Sequence, residues 1–411
     1  MTIADLQCRS CGHSGLQLVL SLGETPLANA LLAPDELDLP EPTYPLEVVF
    51  CPICTLVQIT ETVPPESLFR DYLYFSSFSD TMLRHAESLV TSVLKERQLG
   101  GDALAVEVAS NDGYLLQYYK RAGIPTLGIE PALNVAHVAE SERHIRTITE
   151  FFGENLAHDL AARQERADVI HANNVLAHVA DLNGFVRGLR ILLKDEGVAV
   201  VEVPYIKDLV DRCEFDTIYH EHLCYFSLTA LERLFRRHQL TIHSVQRVPI
   251  HGGSLRIHAS RAGVTEADEA VAALLTEETS WGVGSITFYR EFARRVEYMK
   301  DNLRGLVAKL KRQQNRLAAY GAAAKGSTLL NYFQIGRETL DFVVDRSTYK
   351  QGRYMPGVHL PIHAPSKLLE DRPDYVLLLT WNFADEILQQ QAEYRRRGGR
   401  FIIPVPEVRV I

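Results

Sequence analysis

The stretch "ALAVEVASNDG", residues 103–113, decides the fold. It reads as a buried strand that breaks into a turn of small polar residues, and "YLLQYYKRAG" (114–123) follows as a helix. The pattern recurs in "TLGIEP" (126–131), "ADVIHANNVLAHV" (167–179) and "EGVAVVEVPY" (196–205), each separated by stretches of helical length. Strands alternating with helices imply a parallel sheet with helices on both faces. "LTIHSVQRVPIHGGSLRIHAS" (240–260) carries two strands split by a His-Gly-Gly turn and closes this unit as a hairpin. The same grammar resumes near residue 315 in "RLAAYGAAAKGSTLLNYF" (316–333), "LDFVVDRS" (340–347), "DYVLLLTWN" (374–382) and "RFIIPVPEV" (400–408), a second α/β unit. Between them Phe288, Phe292, Val296, Met299, Leu303, Leu306 and Leu310 form one apolar stripe, the mark of a core-facing helix that links two domains.

A chain of 411 residues is too long for one ordinary core and calls for two or three domains. Its 46% hydrophobic and 23% charged residues describe a globular protein. The net charge of −9, with no basic run beyond Arg395-Arg396-Arg397, argues against a nucleic acid polymer or an anionic membrane as partner. No signal pattern opens the chain and no apolar run approaches a membrane span, so a cytoplasmic location is expected.

Four of the six cysteines form two CxxC pairs, Cys8/Cys11 and Cys51/Cys54. Each tight turn presents two thiolates to one ion, and two such knuckles close a tetrahedral Zn2+ shell. With four thiolates the ion has no open position, so the site holds a fold and performs no chemistry. The expected layout is a zinc-binding module over 1–70, an α/β domain over 71–265, a linking helix over 266–314 and a C-terminal α/β domain over 315–411.

The first strand, with Glu107, ends in Asn111-Asp112-Gly113 and lacks the GxGxxG glycines that admit a pyrophosphate. Glu130, followed by Pro131, sits at the tip of the second strand, where a carboxylate commonly receives ribose hydroxyls. A nucleoside without a phosphate fits better than NAD, and S-adenosylmethionine is such a ligand, its adenine against the strand end at Asn173 and Asn174. The second glycine turn, Gly321 to Gly326, is not a P-loop, because its lysine and glycine stand in reverse order. Lys325 and Ser327 at a helix N-terminus suit a phosphate, with Asp345 at the distance of a ribose carboxylate; a tight turn without ligand is an equal alternative.

The two CxxC pairs, "YLYFSSFSDTM", "EVASNDGYLL", "GIEP", "HANNVLAHV", "YHEHLCYFS" and "HGGSLR" occur in that order. Together they resemble the deoxysugar C-methyltransferases of antibiotic and surface-polysaccharide pathways, across essentially the whole chain. The resemblance implies a zinc-binding module, a Rossmann-like S-adenosylmethionine methyltransferase domain and a C-terminal Rossmann-like domain that helps hold a nucleotide sugar. It also implies methyl transfer to the carbon beside the ketone of a nucleotide-diphosphate 4-keto-sugar, dTDP-linked, at C3 in preference to C5.

His220-Glu221-His222 lacks the HExxH spacing by which a helix chelates zinc, and the cysteines already account for a metal. Methylating the α-carbon of a ketone needs a base for a C–H proton, a task suited to histidine. By the resemblance that base is His222, with Glu221 and Tyr219 as polar partners. In an extended stretch Tyr219 and Glu221 would face away from His222, so a bend is required. Tyr74 resembles a tyrosine that covers the methyl donor, and Ser77 is expected beside the same ligand. His178, Glu202 and His251 at strand ends are candidates for the substrate. Two rival readings remain: an NAD-dependent nucleotide-sugar oxidoreductase built on the Gly321 turn, and a non-enzymatic zinc-dependent binding module.

Overall fold

A computed structural model describes residues 6–69, 75–250 and 252–411. Three sheets are present among the described residues. In the first, β1 (Gln17–Pro26), β2 (Thr43–Phe50) and β3 (Val57–Ile59) run antiparallel beside the cysteine knuckles.

The middle sheet is built from β4 (Ala105–Val108), β5 (Thr126–Ile129), β6 (Thr147–Ile148), β7 (Ala167–Asn173) and β8 (Leu193–Pro204). Here β4 pairs in parallel with both β5 and β7, so the chain order reverses at the β4/β7 crevice, where ligands of such sheets bind. The fourth strand of the zinc-side sheet is β9 (Cys224–Tyr225), which lies far from residue 70 in sequence and pairs with β3, Val57 opposite Tyr225. The expected terminal hairpin is β10 (Leu240–Val248) with β11 (Ser254–Arg261), and β11 runs antiparallel to β8.

A helix over Glu269–Trp281 precedes the long helix Ile286–Arg312. The two part at Gly282, whose φ of 78° stops the first. The long helix buries Tyr289, Phe292, Val296, Met299, Leu303, Val307 and Leu310, while Phe288 and Leu306 flank that stripe half-buried. The third sheet repeats the reversal: β12 (Leu317–Tyr320) lies between β13 (Val343–Val344) and β15 (Tyr375–Leu378), with β14 (Ile362–His363), β16 (Arg400–Ile403) and β17 (Arg409–Val410) outside them. No helix among the described residues is long and apolar enough to cross a membrane.

The glycine-poor turn after β4 has a glycine-like backbone. Ala109, Asn111 and Gly113 take φ of 56°, 50° and 75°, all in the left-handed region. A Cβ on Gly113 would also stand 2.6 Å from the Ile145 side chain, so this position is closed to other residues. Asparagine tolerates the left-handed region through local hydrogen bonding, whereas alanine there carries steric strain. Ala109→Gly is expected to stabilise the protein by roughly 0.5–1 kcal/mol, the left-handed strain relieved less the added freedom of the unfolded chain. Urea denaturation with an unchanged or lower midpoint would contradict this.

Candidate active site and zinc centre

At the β4/β7 crevice, Glu130 closes the turn after β4. Its Oε2 accepts the Asn111 N–H and its Oε1 the Ala132 N–H, both at 2.9 Å, so Pro131 is held in the turn between them. A short turn over Ser76–Phe78 lies across the other side. The Ser76 N–H donates to Asn111 Oδ1 at 2.8 Å, and the Ser77 hydroxyl to Asp112 Oδ2 at 2.5 Å. Around this turn Asp112 Oδ1, Asn173 Oδ1 and Asn174 Oδ1 are buried without a hydrogen-bond partner, and the Glu107 carboxyl is buried beside Tyr114. Burial, with Asp112 and Glu130 nearby, pushes the Glu107 carboxyl well above the usual carboxylate range. Burial also raises Glu130, against the lowering effect of its two backbone donors. A crevice of unmet acceptors next to carboxylates complements a ligand that brings hydroxyl donors and positive charge, the chemistry of S-adenosylmethionine.

The bend required at residues 219–222 is present: the His222 N–H bonds to the Tyr219 carbonyl at 2.9 Å. It brings the Tyr219 hydroxyl to 3.1 Å from His222 Nε2. His222 Nδ1 lies 2.8 Å from the Thr217 carbonyl, and a carbonyl only accepts. The proton therefore sits on Nδ1, and Nε2 presents its lone pair toward the tyrosine. His178 packs edge-on against His222 with ring centroids 4.9 Å apart, and burial pushes His178 down to about 4, so it is neutral near pH 7. The two residues within the bend turn the other way. Glu221 accepts from Asn29 Nδ2 at 2.6 Å, and His220 Nε2 lies 3.2 Å from the Pro45 carbonyl. Glu221 is thus engaged with the zinc module through Asn29.

Glu202, at the end of β8, is engaged by His85 at 2.8 Å and by Arg256 at 2.6 Å. That triad was not legible in sequence, because His85 comes from the helix Asp80–Arg97 and Arg256 from β11. Lys325 opens the helix Ala324–Phe333, donates to Asn382 Oδ1 at 3.1 Å and stands 4.5 Å over the Trp381 ring. Ser327, two residues further on, is buried, its hydroxyl 3.4 Å from Asn331 Nδ2. Asp345 closes the Gly321 turn by accepting the Ala322 N–H at 2.7 Å. Tyr74 and His251 lie outside the described residues.

The sulfurs of Cys8, Cys11, Cys51 and Cys54 all lie within 4.8 Å of one another, a closed all-thiolate donor set that suits Zn2+. Two arginines one turn apart on the helix Leu228–Arg237 grip the knuckles from outside. Arg233 donates to the Ile53 carbonyl at 2.7 Å and Arg237 to the Ser10 carbonyl at 2.6 Å.

The C-methyltransferase NovU of Streptomyces niveus is 38% identical to this chain over 406 residues, covering 98% of this chain and 96% of NovU. The chain belongs to the C-methyltransferase family. Residues 8–69 match a zinc binding domain family, 83–245 a methyltransferase domain and 249–406 a C-methyltransferase C-terminal domain. Among solved structures, the magnesium protoporphyrin IX methyltransferase of Synechocystis PCC 6803 with bound SAH is 14% identical, covering 44% of this chain and 83% of that one with a TM-score of 0.36. The PH0226 protein of Pyrococcus horikoshii OT3 is 14% identical, covering 49% and 100%, with a TM-score of 0.38. This C-methyltransferase uses S-adenosylmethionine as methyl donor and carries a four-cysteine zinc site. The oxidoreductase and non-enzymatic readings are set aside by the family match.

Because β3 carries β9, metal loss should be felt in the methyltransferase domain. Structural zinc supplies on the order of 10 kcal/mol to small modules of this kind. Cys51→Ser should release the metal and speed amide exchange at residues 222–225 as well as in 8–59. Mass-spectrometric exchange that stays slow at 222–225 in metal-free protein would show that the segment is held without the module.

Proposed function

We propose that this enzyme methylates the carbon beside the ketone of a dTDP-linked 4-keto-deoxysugar, at C3 in preference to C5, with His222 as the base. The observation that carries this reading is the fixed tautomer: Nδ1–H given to the Thr217 carbonyl and the Nε2 lone pair presented beside the Tyr219 hydroxyl. The C–H beside a ketone is acidified because the resulting anion spreads onto oxygen. His222 takes that proton at Nε2, and the imidazolium so formed keeps its Nδ1–H bond to Thr217. Such a general base is worth roughly 10²–10⁴-fold. In the resting site the Tyr219 hydroxyl donates to Nε2 and orients the imidazole; once Nε2 carries the proton, it donates to the tyrosine oxygen and frees the O–H for the developing enolate oxygen. The neutral His178 adds no positive charge that would oppose proton uptake. S-adenosylmethionine, when bound, supplies an electrophilic sulfonium methyl that needs no further activation.

Glu107, Asn111, Asp112, Gly113, Glu130, Pro131, Asn173, Asn174 and Ser77 form the methyl-donor crevice in this reading. Glu221 supports the bend through Asn29. Lys325 and Ser327 at the head of the helix Ala324–Phe333 hold the diphosphate by charge and helix-terminal N–H groups. His178 and Glu202 border the sugar. The enzyme is expected to work in the cytoplasm, where nucleotide sugars are available.

His222→Asn should abolish methylation, and with it the exchange of the sugar α-hydrogen for solvent deuterium in the presence of a non-reactive donor product, while both ligands still bind. Tyr219→Phe should cost less. Exchange at the wild-type rate in His222→Asn would move the base elsewhere.

Proton linkage gives an independent check. Burial raises the Glu107 carboxyl in the free protein, and a cationic ligand beside it favours the carboxylate. Donor binding should therefore release protons, and affinity should rise with pH. Calorimetry in buffers of different ionisation enthalpy should detect this release and find it lost in Glu107→Gln. Linkage that persists in that variant would assign the released protons to another group.

A further inference from the structure

The turn Phe215–Thr217 leads directly into the His222 bend, yet it is packed by the C-terminal domain. Phe215 stacks on Phe333, centroids 4.9 Å apart and rings within 16° of parallel. The Trp381 indole N–H donates to Asp216 Oδ2 at 2.7 Å, and the Thr328 hydroxyl to the Ile218 carbonyl at 3.2 Å. Thr217 is flanked on both sides by these contacts, and its own carbonyl receives the Nδ1–H of His222. The catalytic imidazole is thus aimed by a peptide unit whose neighbours are anchored in a different domain.

We propose that Asp216 is a positioning residue for methyl transfer: its bond to Trp381 holds the Thr217 carbonyl where it locks His222 in the Nδ1–H form. The inference rests on the reading of His222 as the base. Asp216 is fully buried, its Oδ1 has no hydrogen-bond partner, and burial pushes the carboxyl up to about 6 against the opposing charge of Lys325. Asparagine keeps an acceptor oxygen for the Trp381 N–H in a side chain of the same shape. The C-terminal domain takes on a second role here. Beyond holding the nucleotide sugar, it sets which nitrogen of the base is ready to accept a proton, so a loosened domain would leave the sugar facing the wrong tautomer.

Trp381→Phe keeps an aromatic ring near Lys325 and removes the N–H together with the rest of the indole's second ring, and Asp216→Ala removes the acceptor. In both, kcat should fall about tenfold, the factor expected from roughly one net hydrogen bond, while KM for the nucleotide sugar stays within about twofold. Long-range proton–nitrogen NMR of the histidine rings, with His222→Asn to assign the signal, should show His222 as the Nδ1–H tautomer in the wild type. A mixture of tautomers is expected in the two variants, and Asp216→Asn should restore both the wild-type tautomer and kcat. If Trp381→Phe lowers stability while the His222 signal and kcat stay as in the wild type, Asp216 only packs the interface and the proposal is overturned. A changed tautomer with unchanged kcat would instead support the positioning link and overturn His222 as the base.

Discussion

The segment Phe215–Tyr225 is the constraint on which the molecule depends, because three packed units must agree on its course. The C-terminal domain binds its start through Trp381, Phe333 and Thr328. The zinc module binds its middle through Asn29 and Pro45 and takes its end as β9. The methyltransferase domain holds it from behind, where the Leu223 N–H meets the Ala177 carbonyl at 2.8 Å. A turn carries no internal ladder of its own, so its backbone groups must find partners elsewhere. Here those partners come from all three units, and His222 inherits their combined rigidity.

This gives the zinc site a purpose that its closed coordination shell alone does not reveal. A module of this size buries too little apolar surface to be firmly stable, and four thiolates around an ion supply what the core lacks. Arg233 and Arg237 then tie the knuckles to a helix that starts just after β9. Through β9 and the Pro45 carbonyl the module reaches the same turn that carries His222.

The two α/β domains solve one local problem in the same way. In each, a carboxylate at the end of the second strand accepts a backbone N–H from the turn after the first: Glu130 from Asn111, Asp345 from Ala322. The bond closes the turn and leaves further lone pairs on the acid for a ligand. Elsewhere in the crevice Asp112, Asn173 and Asn174 each leave a buried oxygen without a partner. Buried acceptors of this kind cost stability unless a ligand satisfies them, and functional sites are where proteins tolerate that cost.

The sequence by itself determined the elements that local pattern controls: the α/β alternation, the closing hairpin, the two knuckles and the need for a bend at Tyr219–His222. These rest on side-chain periodicity, cysteine spacing and short-range geometry, all of which are written within a few residues. It left the turn after β4 half-read, since Ala109 and Asn111 adopt a glycine-like backbone that their identities do not announce. The tertiary structure alone decided which partner each polar group received. Glu221 went to Asn29, Glu202 to His85 and Arg256, and Thr217 came under the hold of Trp381 and Thr328. Those pairings join residues far apart in the chain, and only the packing of three domains around one turn brings their hydrogen-bonding groups within reach.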